Sequence, residues 1–406
     1  MRCFIVISKF LPEYTGAAYR IHNTYKRIRS DFPHFKLLVF CNSTESPTNQ
    51  DYDYEGVPVE RVAFGLVRWM PERFSRALKF YLEAFGTFYK LCLCEKPDVL
   101  HIIGASGGTA AALIYSRLFS VPRIVELVTK GASPEQFLPG LRYKNFLKLE
   151  EKTVIIAISP EIEQACHALG YSNYVWCRPN PVDEARFVFE REDKNDLRKE
   201  ITPFGEYDIL IGMVAKFMPQ KNQIFLLSVI DRLPEKYKLV LVGPLVDDGI
   251  FHRRDKAYYD QICKVIEDKN LSGRVYLQKG FADAAATMAV CDIYAMPQMR
   301  EGLGTPMLEA IASGLPVIAN SDEKAFTYWI DKTGGGRACP LDVKSWVNAI
   351  LTFSDISKPN RQHAAEQVLK HAGHLRLDRS FADLLRVLVD NEADLKVFIE
   401  KLSASR

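Results

Sequence analysis

The sequence predicts an α/β protein of two doubly wound domains, and three observations carry that prediction. Short β-branched runs alternate with helical patterns in two successive series. Each run is apolar almost throughout, the mark of a parallel sheet covered on both faces. A stretch rich in proline and charge, residues 175–206, separates the series. At 406 residues the chain is long enough for two cores.

The first series contains CFIVI (3–7), KLLVFC (36–41), DVLHII (98–103), RIVEL (123–127) and VIIAIS (154–159). Helical patterns such as AAYRIHNTYKRI (17–28) and TAAALIYSRLF (109–119) lie between them. The separating stretch then marks a domain boundary. The second series contains YDILIGMV (207–214), YKLVLVG (237–243), RVYLQ (274–278), DIYAM (292–296) and LPVIA (315–319). Past residue 355 the pattern is helical to the end. The expected division is 1–180, 181–375 and a helical tail, 376–406. Two such domains face one another across a cleft, with ligands at the carboxyl ends of the strands.

Composition narrows the function classes. Apolar content of 48% and charge of 25% are those of an ordinary globular protein. A net charge of +3 gives no footprint for nucleic acid. No run of ~18 apolar residues is present to span a membrane. The opening MRCFIVISKF reads as a first strand, because LPEYTG follows where a cleavage site would stand. The nine cysteines are an odd number, mostly in apolar segments, with no C-x-x-C pair. Reduced, buried thiols in a cytoplasmic protein are the expectation, rather than zinc or disulfides.

The most informative stretch is MPQMREGLGTPMLEAIASGLPVIAN, 296–320. A buried strand stops at Pro297. Gly302 and Gly304 allow a sharp turn and close approach of backbone to a ligand. Thr305 suits an N-cap and Pro306 a first helical position. Helix-end amides reached through glycines favour an anion. Glu301 and Glu309, eight positions apart, would repel a phosphate and make sense as acceptors for sugar and ribose hydroxyls beside it. The pattern reads as a site for a sugar carried on a phosphate.

The string REGLGTPMLEAIASGLPVIA resembles the signature of the retaining GT-B-fold glycosyltransferases of family 4, with both glutamates, both glycines, Glu309-Ala310 and Gly-Leu-Pro-Val in order. The resemblance implies two Rossmann-like domains, with the first on the acceptor side and the second binding the nucleotide sugar. It also implies that the C-terminal helices pack at least partly on the first. PNPVD (179–183) is similar to the family's inter-domain PNGVD, though a plain proline-stiffened linker explains it equally well. In GMVAKFMPQKNQ (212–223), Lys216 and Lys221 stand where the family's arginine and lysine contact the donor diphosphate. Lysine keeps the charge and loses the bidentate fork. At an effective dielectric of ~20, one cation 4 Å from a phosphate oxygen is worth roughly 4 kcal/mol before desolvation. Solvated loop lysines are the alternative.

Gly16, Ala17 and Ala18 resemble the family's glycine loop, whose amides face the donor phosphates. The resemblance therefore implies donor contacts from Gly16, Gly302, Leu303, Gly304, Thr305 and Glu309, with Lys216, Lys221 and Glu301 at the chemistry. In the first domain His101 fills one of two histidine positions and Ile103 the other, so a core histidine competes with a site role. Gly104, Ser106, Gly107, Glu126 and Lys130 are expected to line the acceptor side.

No Asp-x-Asp ends a strand, and Asp247-Asp248 is an adjacent pair in a long loop. The expectation is therefore no metal and no cofactor beyond a nucleotide-diphosphate sugar as co-substrate. Lysines and helix amides would stabilise the departing diphosphate. Retention, with the departing phosphate oxygen taking the acceptor proton, is implied by the resemblance. The expected acceptor is a glycan or a lipid-linked acceptor. The stretches 68–91 (with Trp69, Phe74, Phe80 and Tyr81) and 141–152 mix basic and aromatic residues. They fit either helices packed on their own sheet or peripheral contact with the inner face of a membrane. Competing functions are a sugar-nucleotide epimerase and a non-catalytic sugar-binding protein. A phosphorylase would need a longer chain and a lysine-bound cofactor. A dehydrogenase would need a G-x-G-x-x-G after a first strand, which neither series has.

Overall fold

A computed structural model of the chain describes residues 1–43, 48–63, 74–134, 146–190, 192–245, 252–280, 283–353, 357–390 and 392–404. It divides into two compact units, Met1–Asn180 with Arg376–Arg406, and Pro181–Leu375. Asp247-Asp248, residues 68–73 and residues 141–145 lie outside the described residues, so neither the acidic pair nor the start of either basic stretch is placed.

Among the described residues the first unit holds eight strands: β1 (Arg2–Ile7), β2 (Lys36–Ser43), β3 (Gln50–Tyr54), β4 (Val57–Ala63), β5 (Val99–Ile103), β6 (Arg123–Leu127), β7 (Thr153–Ala157) and β8 (Val175–Cys177). They form one sheet in the order β3-β4-β2-β1-β5-β6-β7-β8. Only β3 runs antiparallel, paired to β4. The order reverses between β1 and β5, so the loops after these strands share the carboxyl edge. A Cβ on Gly104, just past β5, would lie 3.5 Å from the Ser8 hydroxyl, just past β1.

The tail belongs to this unit. Helix His374–Asp390 buries Leu377, Phe381, Leu384 and Leu388 among Ile5, Tyr25 and Trp176. Asp378 pairs with Arg178 at 3.1 Å and with Arg27 at 2.6 Å. The buried Arg178 guanidinium lies 4.9 Å over the Phe381 ring, and burial brings its pKa down to about 10. The last helix, Glu392–Ala404, adds Leu395 and Ile399 to the same core. Leu395 and Ile399 thus make this helix part of the packing.

The second unit holds β9 (Ile209–Val214), β10 (Tyr237–Gly243), β11 (Val275–Lys279), β12 (Ile293–Met296), β13 (Val317–Asn320) and β14 (Gly336–Cys339). Their order is β11-β10-β9-β12-β13-β14, all parallel. Here the order reverses between β9 and β12, which sets the loops 215–222 and 297–304 at the switch point. The core includes Met213, Leu227, Leu241, Ile262, Trp346 and Ile350.

The PNPVD segment has a structural task. The Val182 amide donates to Ala372 O at 2.7 Å, and the His374 amide donates to Val182 O at 2.9 Å. Gly373 permits this approach, since a Cβ there would fall 2.3 Å from Glu184 Oε1. All nine cysteines are free thiols. No helix among the described residues is long and apolar enough to cross a membrane.

Candidate active site

The loop after β9 is anchored in the core by Phe217, which is fully buried. Gln223 donates from Nε2 to Lys216 O at 2.9 Å. Lys221 ends a short 3-10 turn, Pro219–Lys221, and Asn222 follows at φ 57°. The Lys221 ammonium donates to Glu301 Oε1, and to Gln298 Oε1 at 3.1 Å. An ammonium carries three donors, so one is left for a ligand.

The loop after β12 is tied on both sides. The Met299 amide donates to Gln220 O at 3.0 Å. Asn222 Nδ2 donates to Pro297 O at 3.3 Å and Asn320 Nδ2 to Gln298 O at 3.1 Å. The Arg300 and Glu301 amides donate to the two oxygens of Glu323 at 2.6 and 3.2 Å. Gln298, Asn320 and Glu323 are all buried.

Helix Thr305–Ala312 starts one residue earlier than the sequence suggested. Gly304, at φ 79°, takes the N-cap position, while Thr305 is already helical and Pro306 second. A Cβ on Gly304 would fall 2.3 Å from Phe326 Cε1, so both backbone conformation and packing demand glycine. Proline contributes no N–H, so an anion here meets the amides of Leu303–Thr305 rather than a full first turn.

Glu309 projects from this helix, partly buried. Its carboxylate takes no hydrogen bond from the described residues. Burial pushes its pKa up to about 7; Arg186 pulls it down and Asp183 pushes it further up. A desolvated acceptor that the protein leaves unsatisfied is suited to ligand hydroxyls.

The structure therefore brings Lys221, Glu301, Gly302, Leu303, Gly304, Thr305 and Glu309 onto one strand-end loop, its neighbour and the helix that follows. It treats Lys216 differently. The Lys216 ammonium lies 2.8 Å from Asp255, a fully buried carboxylate that also accepts from Arg254 at 2.7 Å. Its charge is largely compensated within the protein.

In the first unit Gly16 opens helix Gly16–Asp31, with the Thr15 hydroxyl accepting from the Ala18 amide at 3.1 Å. Gly104, Ser106 and Lys130 are partly exposed at the carboxyl edge. Ser106 caps helix Gly107–Phe119 in a box with Thr109, and Gly107 is buried.

Glu126 is buried rather than set on a surface, which corrects its expected acceptor-side place, and His101 takes the core position that competed with a site role. His101 and Glu126 are 0% and 1% exposed, and their polar atoms are engaged inside the core. Burial alone would raise the Glu126 pKa, but Arg20 at 2.6 Å, His101 and Arg178 hold it at about 2. Burial lowers the pKa of His101, so a neutral ring donates from Nε2 to Glu126 at 2.9 Å. Its Nδ1 then accepts from Tyr25 at 2.9 Å, and Tyr25 oxygen meets Cys3 Sγ at 3.4 Å.

Sequence reasoning missed Gln298, Asn320, Glu323 and Asp255. A glutamate three residues past a strand end was a readable signal for Glu323. Asp255 lies inside a helix and offered none.

Three kinds of similarity to known proteins accompany this geometry. The family model for glycosyl transferases group 1 matches residues 193–371. An uncharacterized glycosyltransferase of Methanocaldococcus jannaschii is 31% identical over 367 residues, covering 88% of this chain and 91% of that protein. The UDP-Gal:alpha-D-GlcNAc-diphosphoundecaprenol alpha-1,3-galactosyltransferase of Escherichia coli is 25% identical over 287 residues, 68% of this chain and 70% of the relative. The crystal structure of Anabaena HepE in complex with UDP and glucose shares the fold, with TM-score 0.70, 18% identity, and coverage of 95% and 99%.

Proposed function

The chain belongs to the group 1 glycosyltransferases, GT-B-fold enzymes that use nucleotide sugars, and from that premise we propose that it is a retaining hexosyltransferase acting on a lipid-linked glycan. The observation that carries the donor assignment is the Lys221–Glu301 contact, set beside a helix that presents an unsatisfied Glu309. Glu309 receives the ribose hydroxyls, Glu301 the hydroxyls of the transferred sugar, and Lys221 with the Leu303–Thr305 amides the diphosphate. In the transfer, the bond from the anomeric carbon to the phosphate oxygen breaks and a bond to the acceptor oxygen forms. The acceptor proton passes to the departing phosphate. Fixed cations and amides aimed at that charge lower the barrier without reorganising.

Thermal unfolding with UDP-galactose, UDP-glucose and GDP-mannose, in EDTA, tests the donor reading and its independence of metal together. One of the three is expected to raise the melting temperature and then to be consumed with an acceptor. No shift with any of them contradicts the reading.

The lipid-linked acceptor class rests on the name of the Escherichia coli relative and on the surface of the first unit. Leu82, Leu93, Leu118, Phe119 and Phe146 are exposed there, with Phe119 against Tyr89 at 5.7 Å. Arg117 donates to Phe146 O at 2.9 Å, and Lys148 is exposed nearby in sequence. Apolar side chains flanked by cations suit an anionic bilayer surface. Co-sedimentation with anionic vesicles at low salt is the expected result, and its absence retires the membrane contact.

A further inference from the structure

We infer that Glu323 is a positioning residue for the donor site, fixing the backbone of Arg300 and Glu301 so that the Glu301 carboxylate meets the transferred sugar; this rests on the donor reading above. Glu323 stands at the N-cap of helix Lys324–Thr333, where a short polar side chain would accept from the helix's own amides. It makes no such bond. Its carboxylate turns instead to another strand-end loop and accepts both the Arg300 and the Glu301 amides, one on each oxygen. The carboxylate does this from a residue that is 4% exposed.

The held loop needs holding. Arg300 sits at φ 60°, in the left-handed region where a side chain is strained. Such conformations persist only where the surroundings over-determine them. Asn320 grips the same loop at Gln298, so the turn after β13 clasps it at two points. Loop 215–222 clasps it from the other side through Gln220, Lys221 and Asn222. These contacts fall on residues 297–301 of the loop, whereas Glu309 serves the ribose from the following helix. Loss of Glu323 should therefore be felt more at the sugar than at the nucleotide.

The charge itself is required by the geometry. Two N–H groups converge on two oxygens, and glutamine would offer one oxygen and present its NH2 to the second donor. Arg300→Gly should relieve the dependence, because glycine adopts φ 60° without the strain.

Calorimetry with UDP-galactose against UDP, and GDP-mannose against GDP, tests this on wild type, Glu323→Gln, Arg300→Gly and the double variant. Glu323→Gln is expected to leave the bare diphosphate within about twofold while weakening sugar-nucleotide binding or turnover by ~10–100-fold, the scale of a misplaced contact group. The double variant should recover part of that loss. An equal change for sugar nucleotide and bare diphosphate, or no change, overturns the inference. If wild type binds neither pair, the donor reading itself falls and takes this with it. Hydrogen exchange on the wild type adds a measure that needs no variant. The Arg300 and Glu301 amides should be protected without ligand, and rapid exchange there also overturns it.

Discussion

Lys221→Ala is expected to lower turnover by ~100-fold or more, the usual consequence of removing one preorganised donor to developing charge. The ammonium is shared between Glu301 and Gln298 before any ligand arrives, so its position is set in advance. Its removal takes a cation from the diphosphate and leaves Glu301 facing the leaving group as an uncompensated anion. Both effects act most strongly in the transition state, so turnover should fall further than donor affinity. Lys216→Ala should cost less in the same assay, because Asp255 already absorbs most of that charge. Steady-state kinetics on the two variants separates them. Wild-type turnover in Lys221→Ala would remove it from the scheme.

Glu309→Gln should weaken donor binding and strengthen the empty protein. Hydrogen bonds to a charged acceptor are worth about 1.5–3 kcal/mol each, so losing the ionised carboxylate should cost on the order of 10–100-fold in affinity. The stability change has the opposite sign. A carboxyl whose pKa rises from 4.5 to about 7 on folding holds its proton more tightly when folded. The wild type is therefore favoured as pH falls through 7 and penalised above it, with a ceiling of ~3 kcal/mol that water at a partly exposed carboxylate reduces. Glutamine removes the penalty. Urea unfolding should show a gain at pH 8 that shrinks as pH falls below 7 and vanishes only below the unfolded value of 4.5, together with weaker nucleotide binding at pH 8. A variant no more stable than wild type at pH 8 would mean that Glu309 is not held desolvated.

Much of the fold was legible because buried parallel strands are written as continuous apolar runs. Tyr237–Gly243 and Arg123–Leu127 occur at the predicted positions. The strands that escaped lack that mark. β3, QDYDY, is an exposed edge carrying two aspartates; β4, VPVERVA, is broken by a proline and two charges; β8 is three residues long; and β14 begins at a glycine. In the candidate site, the glycines and glutamates of 301–309 stand out in the sequence because they are neighbours along the chain and the turn needs glycine locally. The supporting residues were not, since Glu323 and Asp255 act through contacts across 22 and 39 positions of chain. His101 shows the converse. A histidine inside a strand leaves core and site roles both open until Tyr25 and Glu126 are found filling both of its nitrogens.

On the proposed reading, the loops after β9 and β12 grip an activated sugar through groups already in place. A crystal structure with the stabilising nucleotide sugar bound tests it most directly. The ribose should lie on Glu309, the hexose on Glu301 and a phosphate oxygen on the third Lys221 donor, with the Glu323 contacts unchanged. A nucleotide seated away from these four residues would contradict the account.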